Sequence, residues 1–150
     1  MIRLLGLACT FAALLLGTAC GEREYVVVVE SASVDEGWFD DFDCSDAGGI
    51  DFKVVVTRNS TGEDSETDTQ DTCTPFWGTA VFGGDPIPRS ELLDYGLRLD
   101  LGEEFAFGTE FSIWETHSMV LDKDDIQAES VSLTGDCTTV NVSFHRWKGE

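Results

Sequence analysis

The stretch FSIWETHSMVLDKDDIQAESVSL, residues 111–133, decides how the chain is read. Phe111 and Ile113 alternate with Ser112 and Trp114, a period of two that marks a strand, and the pattern breaks at Glu115. Asp122, Asp124 and Asp125 follow in what reads as a loop, and Ala128–Leu133 resumes as a second strand. Two carboxylates about 5 Å apart repel by roughly 3 kcal/mol at an effective dielectric of about 20, so rigid strands that held four of them together would oppose folding. The loop therefore either opens into water or takes up a cation.

Working outward, the same period recurs. Tyr25–Val29 is a β-branched run too short for a buried helix and reads as a central strand. Ile50, Phe52, Val54 and Val56 form a second strand with one face inward, and Thr67–Thr72 reads as an edge strand. Pro75 opens a strand through Trp77 to Phe82, Leu97, Leu99 and Leu101 alternate with Arg98 and Asp100, and Val140, Val142 and Phe144 alternate with Asn141, Ser143 and His145. Ser90–Leu93 suits a single helical turn with Ser90 as its cap. With the two strands of the opening stretch this makes about eight short strands, no long helix and no internal repeat, the pattern of an all-β antiparallel sandwich.

The N-terminus gives the location. Arg3 is followed by a mostly apolar run, Leu4–Leu16, and then by Gly17-Thr18-Ala19-Cys20. The apolar run is too short to span a bilayer as a helix and reads as a secretory signal over residues 1–19. Small residues ahead of a cysteine resemble a bacterial lipobox. That resemblance implies that Cys20 is lipidated, that residues 20–24 are a tether, and that residues 25–150 form one domain in the cell envelope. Gly21 after the cysteine implies the outer membrane. The alternative is an ordinary signal peptide cut after Ala19. If Cys20 carries lipid, Cys44, Cys73 and Cys137 leave one disulfide and one free thiol; otherwise four cysteines allow two.

The chain has 29 acidic and nine basic residues, a formal net charge of −20. Removing the leader with Arg3 leaves eight basic residues and −21. Such a field repels nucleic acid and bare anionic membranes and attracts divalent cations and basic partners. No nucleophile elbow, no zinc-protease helix and no phosphate-cradling loop occurs, so the chain is not read as an enzyme. Of the two histidines, His145 on the polar face of the last strand reads as structural or solvated, and His117 as a hydrogen-bonding residue in an acidic loop, with a softer metal as the alternative. Trp38, Phe39 and Phe42, set among aspartates, read as core or, if exposed, as an apolar contact surface.

The order of features resembles a C2 domain, the calcium- and phospholipid-binding β-sandwich. The residues that carry the likeness are Val26–Val29 leading to Asp46-Ala47-Gly48-Gly49-Ile50-Asp51-Phe52, then Thr67–Thr72 leading into Thr74-Pro75-Phe76-Trp77, then Glu115-Thr116-His117 with Asp125 beyond. The resemblance implies an eight-stranded, Greek-key, C2-like sandwich with Asp46, Asp51, Glu115, Asp122, Asp124 and Asp125 gathered at one tip around calcium. A calcium so held would bridge to an anionic lipid or protein partner, in addition to the membrane contact of the lipid anchor. A site in the extracellular range, with Kd about 10⁻⁴ M, would contribute roughly 1.4 kcal/mol at millimolar calcium. Because Leu97–Leu101 intervenes, the arrangement requires Gly102–Gly108 to recross the sandwich. It also implies a Cys44–Cys73 disulfide at the calcium end, with Cys137 in a hairpin at the opposite end.

Overall fold

A computed structural model describes residues 21–35, 51–104 and 110–149. The leader, Cys20, Cys44, Asp46 and the Trp38, Phe39 and Phe42 group lie outside the described residues.

The valine run becomes the centre of the first sheet. In β1 (Glu24–Val34), Tyr25, Val27, Val29, Ala32 and Val34 point inward, with an irregularity in register between Val29 and Ser31. It pairs antiparallel with β9 (Thr138–Arg146) on one side and with β4 (Phe76–Ala80) and the two-residue β5 (Ile87–Pro88) on the other. The hairpin strand β8 (Ser130–Thr134) pairs with β9, giving the order β4-β1-β9-β8. The second sheet has the order β3-β2-β6-β7, with β2 (Asp51–Arg58), β3 (Asp64–Glu66), β6 (Leu97–Glu104) and β7 (Phe111–Met119). Between the sheets lie Phe52, Val54, Val56, Leu97, Leu99 and Leu101 from one side and Val27, Val29, Val140, Val142 and Phe144 from the other, all essentially inaccessible. Side chains alternating along strands of both sheets close this core, the packing expected of a sandwich.

Four local expectations are corrected. Strand β7 does not break at Glu115 but continues to Met119, because a register shift opposite Leu101 and Gly102 makes Trp114 the extra residue. A bulge of one residue exchanges the faces beyond it. Ile113 is consequently 53% exposed, while Trp114 packs at right angles to Phe52 with ring centroids 4.8 Å apart and His117 and Met119 point inward. The edge strand forms at Asp64–Glu66 and not at Thr67–Thr72, since the buried Thr67 hydroxyl accepts from Val54 N at 3.0 Å and takes over part of the ladder. Residues expected to begin a strand at Ala128 instead end a helix, α2 (Lys123–Ala128), closed by Glu129 at φ 62°. In α1 (Arg89–Asp94) the cap position is Pro88, not Ser90, and the Ser90 N–H is taken by the Glu22 carboxylate at 2.7 Å.

The two ends of the sandwich differ. At the first, α1 passes from β5 in one sheet to β6 in the other, and α2 passes from β7 back to β8. An ion-pair cluster ties α1 to the turn after β2: Arg58 donates to both oxygens of Glu91 at 2.8 and 2.7 Å, and Ser60 Oγ donates to the same carboxylate at 2.6 Å. These contacts, the guanidinium first, hold the Glu91 carboxyl below its ordinary pKa against the opposing effect of burial. At the second end lie Asp51, Glu104, the Val34–Asp35 terminus of β1 and the Gly135–Cys137 turn.

Candidate functional site

The register of the second sheet separates the aspartates proposed to gather. Asp51 is paired with Glu104 and Glu104 with Phe111, whereas Arg58 is paired with Leu97 and Leu97 with Met119. Asp51 therefore stands at the second end, and Asp122, which follows Met119 by three residues, stands at the first. The length of β2 between them amounts to about 23 Å at 3.3 Å per residue. The recrossing expected of Gly102–Gly108 lies largely outside the described residues, but β6 runs on to Glu104 and meets β7 as its direct antiparallel neighbour, which leaves Asp51 and Asp122 at opposite ends. Among the described residues no three His, Cys, Asp or Glu side chains are placed to hold a metal ion.

Asp122, Asp125 and Glu115 each have a local hydrogen-bonding role. Asp122 caps α2, accepting from Asp124 N at 2.7 Å and Asp125 N at 2.8 Å, and Asp125 reaches back to Asp122 N at 3.0 Å. This reciprocal capping box satisfies donors that a helix start leaves open and sets negative charge against the positive end of the helix dipole. Mutual repulsion of the aspartates, which on sequence grounds called for a cation, is thus offset by backbone N–H groups.

Glu115 lies between the ends, in mid-strand, and fastens one sheet to the other. Its carboxylate accepts from Asp136 N at 2.5 Å, Thr138 N at 2.8 Å and Thr138 Oγ1 at 2.5 Å, with Cys137 N at 3.4 Å and Cys137 Sγ at 3.5 Å. Gly135 has room for no side chain here: a Cβ would sit 2.0 Å from Glu115 Oε1. His117 Nε2 lies 2.8 Å from Thr138 Oγ1, and since that hydroxyl gives its hydrogen to Glu115, the imidazole donates. Burial raises the Glu115 pKa, but the Thr138 hydroxyl and the Asp136 and Cys137 N–H groups outweigh it and the net shift is downward. Burial lowers the pKa of His117. Burial first, and then the Glu115 charge, push the Cys137 thiol up to about 11. The trio at neutral pH is an anionic glutamate, a neutral imidazole and a protonated thiol, which is a poor nucleophile.

Cys137 is free and buried. Its carbonyl accepts from Asp35 N at 2.8 Å, and the Cys73 carbonyl accepts from Val34 N at 2.9 Å. Both cysteines therefore flank the same end of β1, which corrects the placement of Cys137 at the opposite end.

Sequence reading missed the place where the chain enters the fold. Gly21–Arg23 lead straight into β1, with Glu22 bound to Ser90 N and the Arg23 carbonyl accepting from Arg89 N at 2.8 Å. Beside them an open groove of about 490 Å³ is lined by Glu22, Arg23, Arg89, Ser90, Leu93 and Asp94. The spacing of Glu22 from Cys20 held no signal of this contact, which depends on α1 folding back from some 68 residues along the chain.

No family model matches the chain, and no curated protein does. Among solved structures it is similar to one of CC2D1B, described as coordinating ESCRT-III activity during the mitotic reformation of the nuclear envelope, with TM-score 0.56 and 13% identity over 86% of this chain. It is also similar to human GIVD cytosolic phospholipase A2 in complex with methyl gamma-linolenyl fluorophosphonate and terbium chloride, with TM-score 0.52 and 20% identity over 83% of this chain. The chain spans 57% and 17% of the length of those two. Together with the two antiparallel sheets, these likenesses identify the fold as an all-β, C2-like sandwich.

Proposed function

We propose that the chain is an exported, lipid-anchored binding module of the bacterial cell envelope, tethered through Cys20 to the outer membrane. Its C2-like sandwich serves as a non-catalytic scaffold that presents the Asp51 end outward. The observation that carries this reading is the entry of the chain: β1 begins four residues after Cys20, and Glu22 and Arg23 are already hydrogen-bonded to α1. An anchor at Cys20 therefore leaves the far end, where Asp35, Asp51, Glu104 and Asp136 lie, as the exposed one. Its acidity suits a partner surface of basic character. The reading includes a Cys44–Cys73 disulfide at that end, supported by Cys73 being disulfide-bonded while Cys137 is free.

The experiment is detergent-phase partitioning of the full chain expressed in a bacterium. Wild type should enter the detergent phase and Cys20→Ser should not; a wild type found in the aqueous phase overturns the anchor.

The metal-free form of this reading is favoured by the separation of Asp51 from Asp122, Asp124 and Asp125. Calorimetry should give the same Tm, within about a degree, in millimolar calcium and in chelator. One site with Kd about 10⁻⁴ M would instead raise it by about 5 °C, and that result would restore calcium to the account.

A further inference from the structure

Antiparallel sheets carry unpaired N–H and C=O groups along their outermost strands, and folded chains keep those edges from pairing with other proteins. Most edges of this sandwich are guarded in that way. Strand β3 is only three residues long and carries Asp64 and Glu66. On β4 the Gln70 side chain takes the place of a neighbouring strand: its Nε2 donates to Phe76 O at 2.7 Å and its Oε1 accepts from Phe76 N at 3.0 Å. Beside β4, the two-residue β5 ends in Pro88. The Trp114 bulge interrupts β7.

Strand β8 has none of these guards. Its sequence SVSLT, residues 130–134, contains no charge and no proline, and its register with β9 is unbroken from Ser130 to Thr134. Phe144 N donates to Glu129 O at 2.9 Å and Gly135 N to Thr138 O at 2.8 Å, which fixes Glu129–Phe144 and Gly135–Thr138 as hydrogen-bonded pairs of the ladder. Alternation then turns the backbone groups of Val131 and Leu133 toward β9 and those of Ser130, Ser132 and Thr134 outward. Among the described residues these outward groups have no backbone partner. The side chains of Val131 and Leu133 pack on the core yet stay half-buried, since among the described residues no strand lies beyond β8 to cover them.

The charge along this side of the sandwich is negative. From Glu110 to Cys137, which covers β7, α2, β8 and the turn into β9, Lys123 is the only basic residue, whereas Glu110, Glu129, Asp136 and the aspartates of α2 are acidic. Arg146 and Lys148 follow β9 at the α2 end, and Lys53 on β2 is paired with Glu66 and Glu104. The Asp136 end of the edge is therefore acidic, in continuity with the Asp51 end of the sandwich. A second copy of the chain, at −20, would bring the same sign to the edge, while a basic segment is drawn to it.

We propose that the outward edge of β8 takes an added strand from a partner protein, an extended segment in which apolar residues alternate with polar ones and lysine or arginine flanks the strand. Main-chain hydrogen bonds to Ser130, Ser132 and Thr134 supply the affinity, the apolar side chains cover Val131 and Leu133, and the flanking cations meet Glu129 and Asp136. This rests on the binding-module reading, whose basic partner it gives a place and a conformation, and it holds whether or not Cys20 carries lipid.

Amide exchange followed residue by residue in the full chain in detergent tests it, the probe being a synthetic peptide in which valine and threonine alternate between lysine pairs. The amides of Ser130, Ser132 and Thr134 should exchange freely in the chain alone and about tenfold more slowly with the peptide, while those of Val131 and Leu133, already in the ladder, change little. The protection should weaken as salt is raised and vanish when the peptide's lysines are replaced by glutamates. Ser132→Pro removes an outward N–H without breaking the ladder to β9, so Val131 and Leu133 should remain protected and the peptide should no longer bind. If that variant does not fold, the wild-type pattern alone decides. Peptide protection confined to Asp35 and residues 51–53 overturns the edge and leaves a basic partner at the acidic end standing, whereas no protection anywhere overturns both. Equal protection by the glutamate peptide, or unchanged binding to folded Ser132→Pro, overturns the proposal. So does slow exchange at Ser130, Ser132 and Thr134 before any peptide is added, together with the mass of a dimer, which would put a second copy on the edge.

Discussion

Replacing Glu115 by alanine lowers the Tm by about 12 °C in thermal denaturation at pH 7, the size expected from a loss of roughly 3 kcal/mol in a domain of this length. The reasoning starts from the hairpin, not from the glutamate. Asp136 N, Thr138 N and the Thr138 hydroxyl all point at one carboxylate, and Thr138 is 3% exposed. Deleting that acceptor leaves the Thr138 N–H and hydroxyl buried without it, while the exposed Asp136 N–H turns to water, and a buried donor without a partner costs about 1–3 kcal/mol. Glu115→Gln keeps one acceptor oxygen but turns an NH₂ group toward the same donors, so it should fall between wild type and alanine.

The same group contributes to the acid limit of the fold, together with Glu91. The pKa of Glu115 is lowered on folding, so the stability it contributes is present above its unfolded value of about 4.5 and is lost as pH falls through the folded value. His117, also lowered, has the same sign: its contribution is complete above its unfolded value of 6.5 and erodes as pH falls below that. Tm should therefore hold above about pH 7 and decline in two stages on acidification. Glu115→Gln should shrink the lower stage, to which Glu91 also contributes, and keep the upper. A variant whose Tm matches wild type at pH 7 would show that Glu115 does not join the sheets.

Glu115 also shows where sequence reading ends. The cores of β1, β2, β6 and β9 were legible because Val27, Val29, Val54, Val56, Leu99, Leu101, Val140 and Val142 obey the period of two and are buried by it. The second half of β7 was not, because its inward residues Glu115 and His117 are polar and their partners lie more than twenty residues away in the β8–β9 hairpin. The Trp114 bulge hid it further, since it places an exposed isoleucine where an inward one is expected. Asp122 and Asp125 were legible in another way: an aspartate with a second acidic residue three positions on, before Ile126, is a helix-start signal. Read as ligands, the two implied a loop; read as a cap, they give α2. The gathering of carboxylates turned on the direction of β7, and the strand at Leu97–Leu101, legible in the sequence as an intervening one, reverses that direction as β6.

Gly96→Ala is expected to lower the Tm by about 12 °C or more, and Gly62→Ala, at nearly the same backbone angle, by only about 4 °C. Both glycines have left-handed φ, +68° and +74°, and an alanine pays about 1 kcal/mol for that conformation at either place. The surroundings differ. A Cβ on Gly62 meets nothing within 4 Å, whereas on Gly96 it would lie 2.0 Å from the Met119 carbonyl oxygen, 2.9 Å from its carbon and 3.0 Å from Val120 Cα. All three are backbone, so no rotamer change relieves the contact. Either the α1–β6 turn or the end of β7 must move. Leu97 and Met119, neighbours in the ladder and both buried, would be pulled apart, and Leu92 of α1 with them. The difference between the two variants, measured under one set of conditions, isolates the packing of this turn from the strain of the angle. Equal losses would mean that Tyr95–Gly96 does not rest on the end of β7, and the α1–α2 end would lose the frame that sets Tyr95 beside Val120.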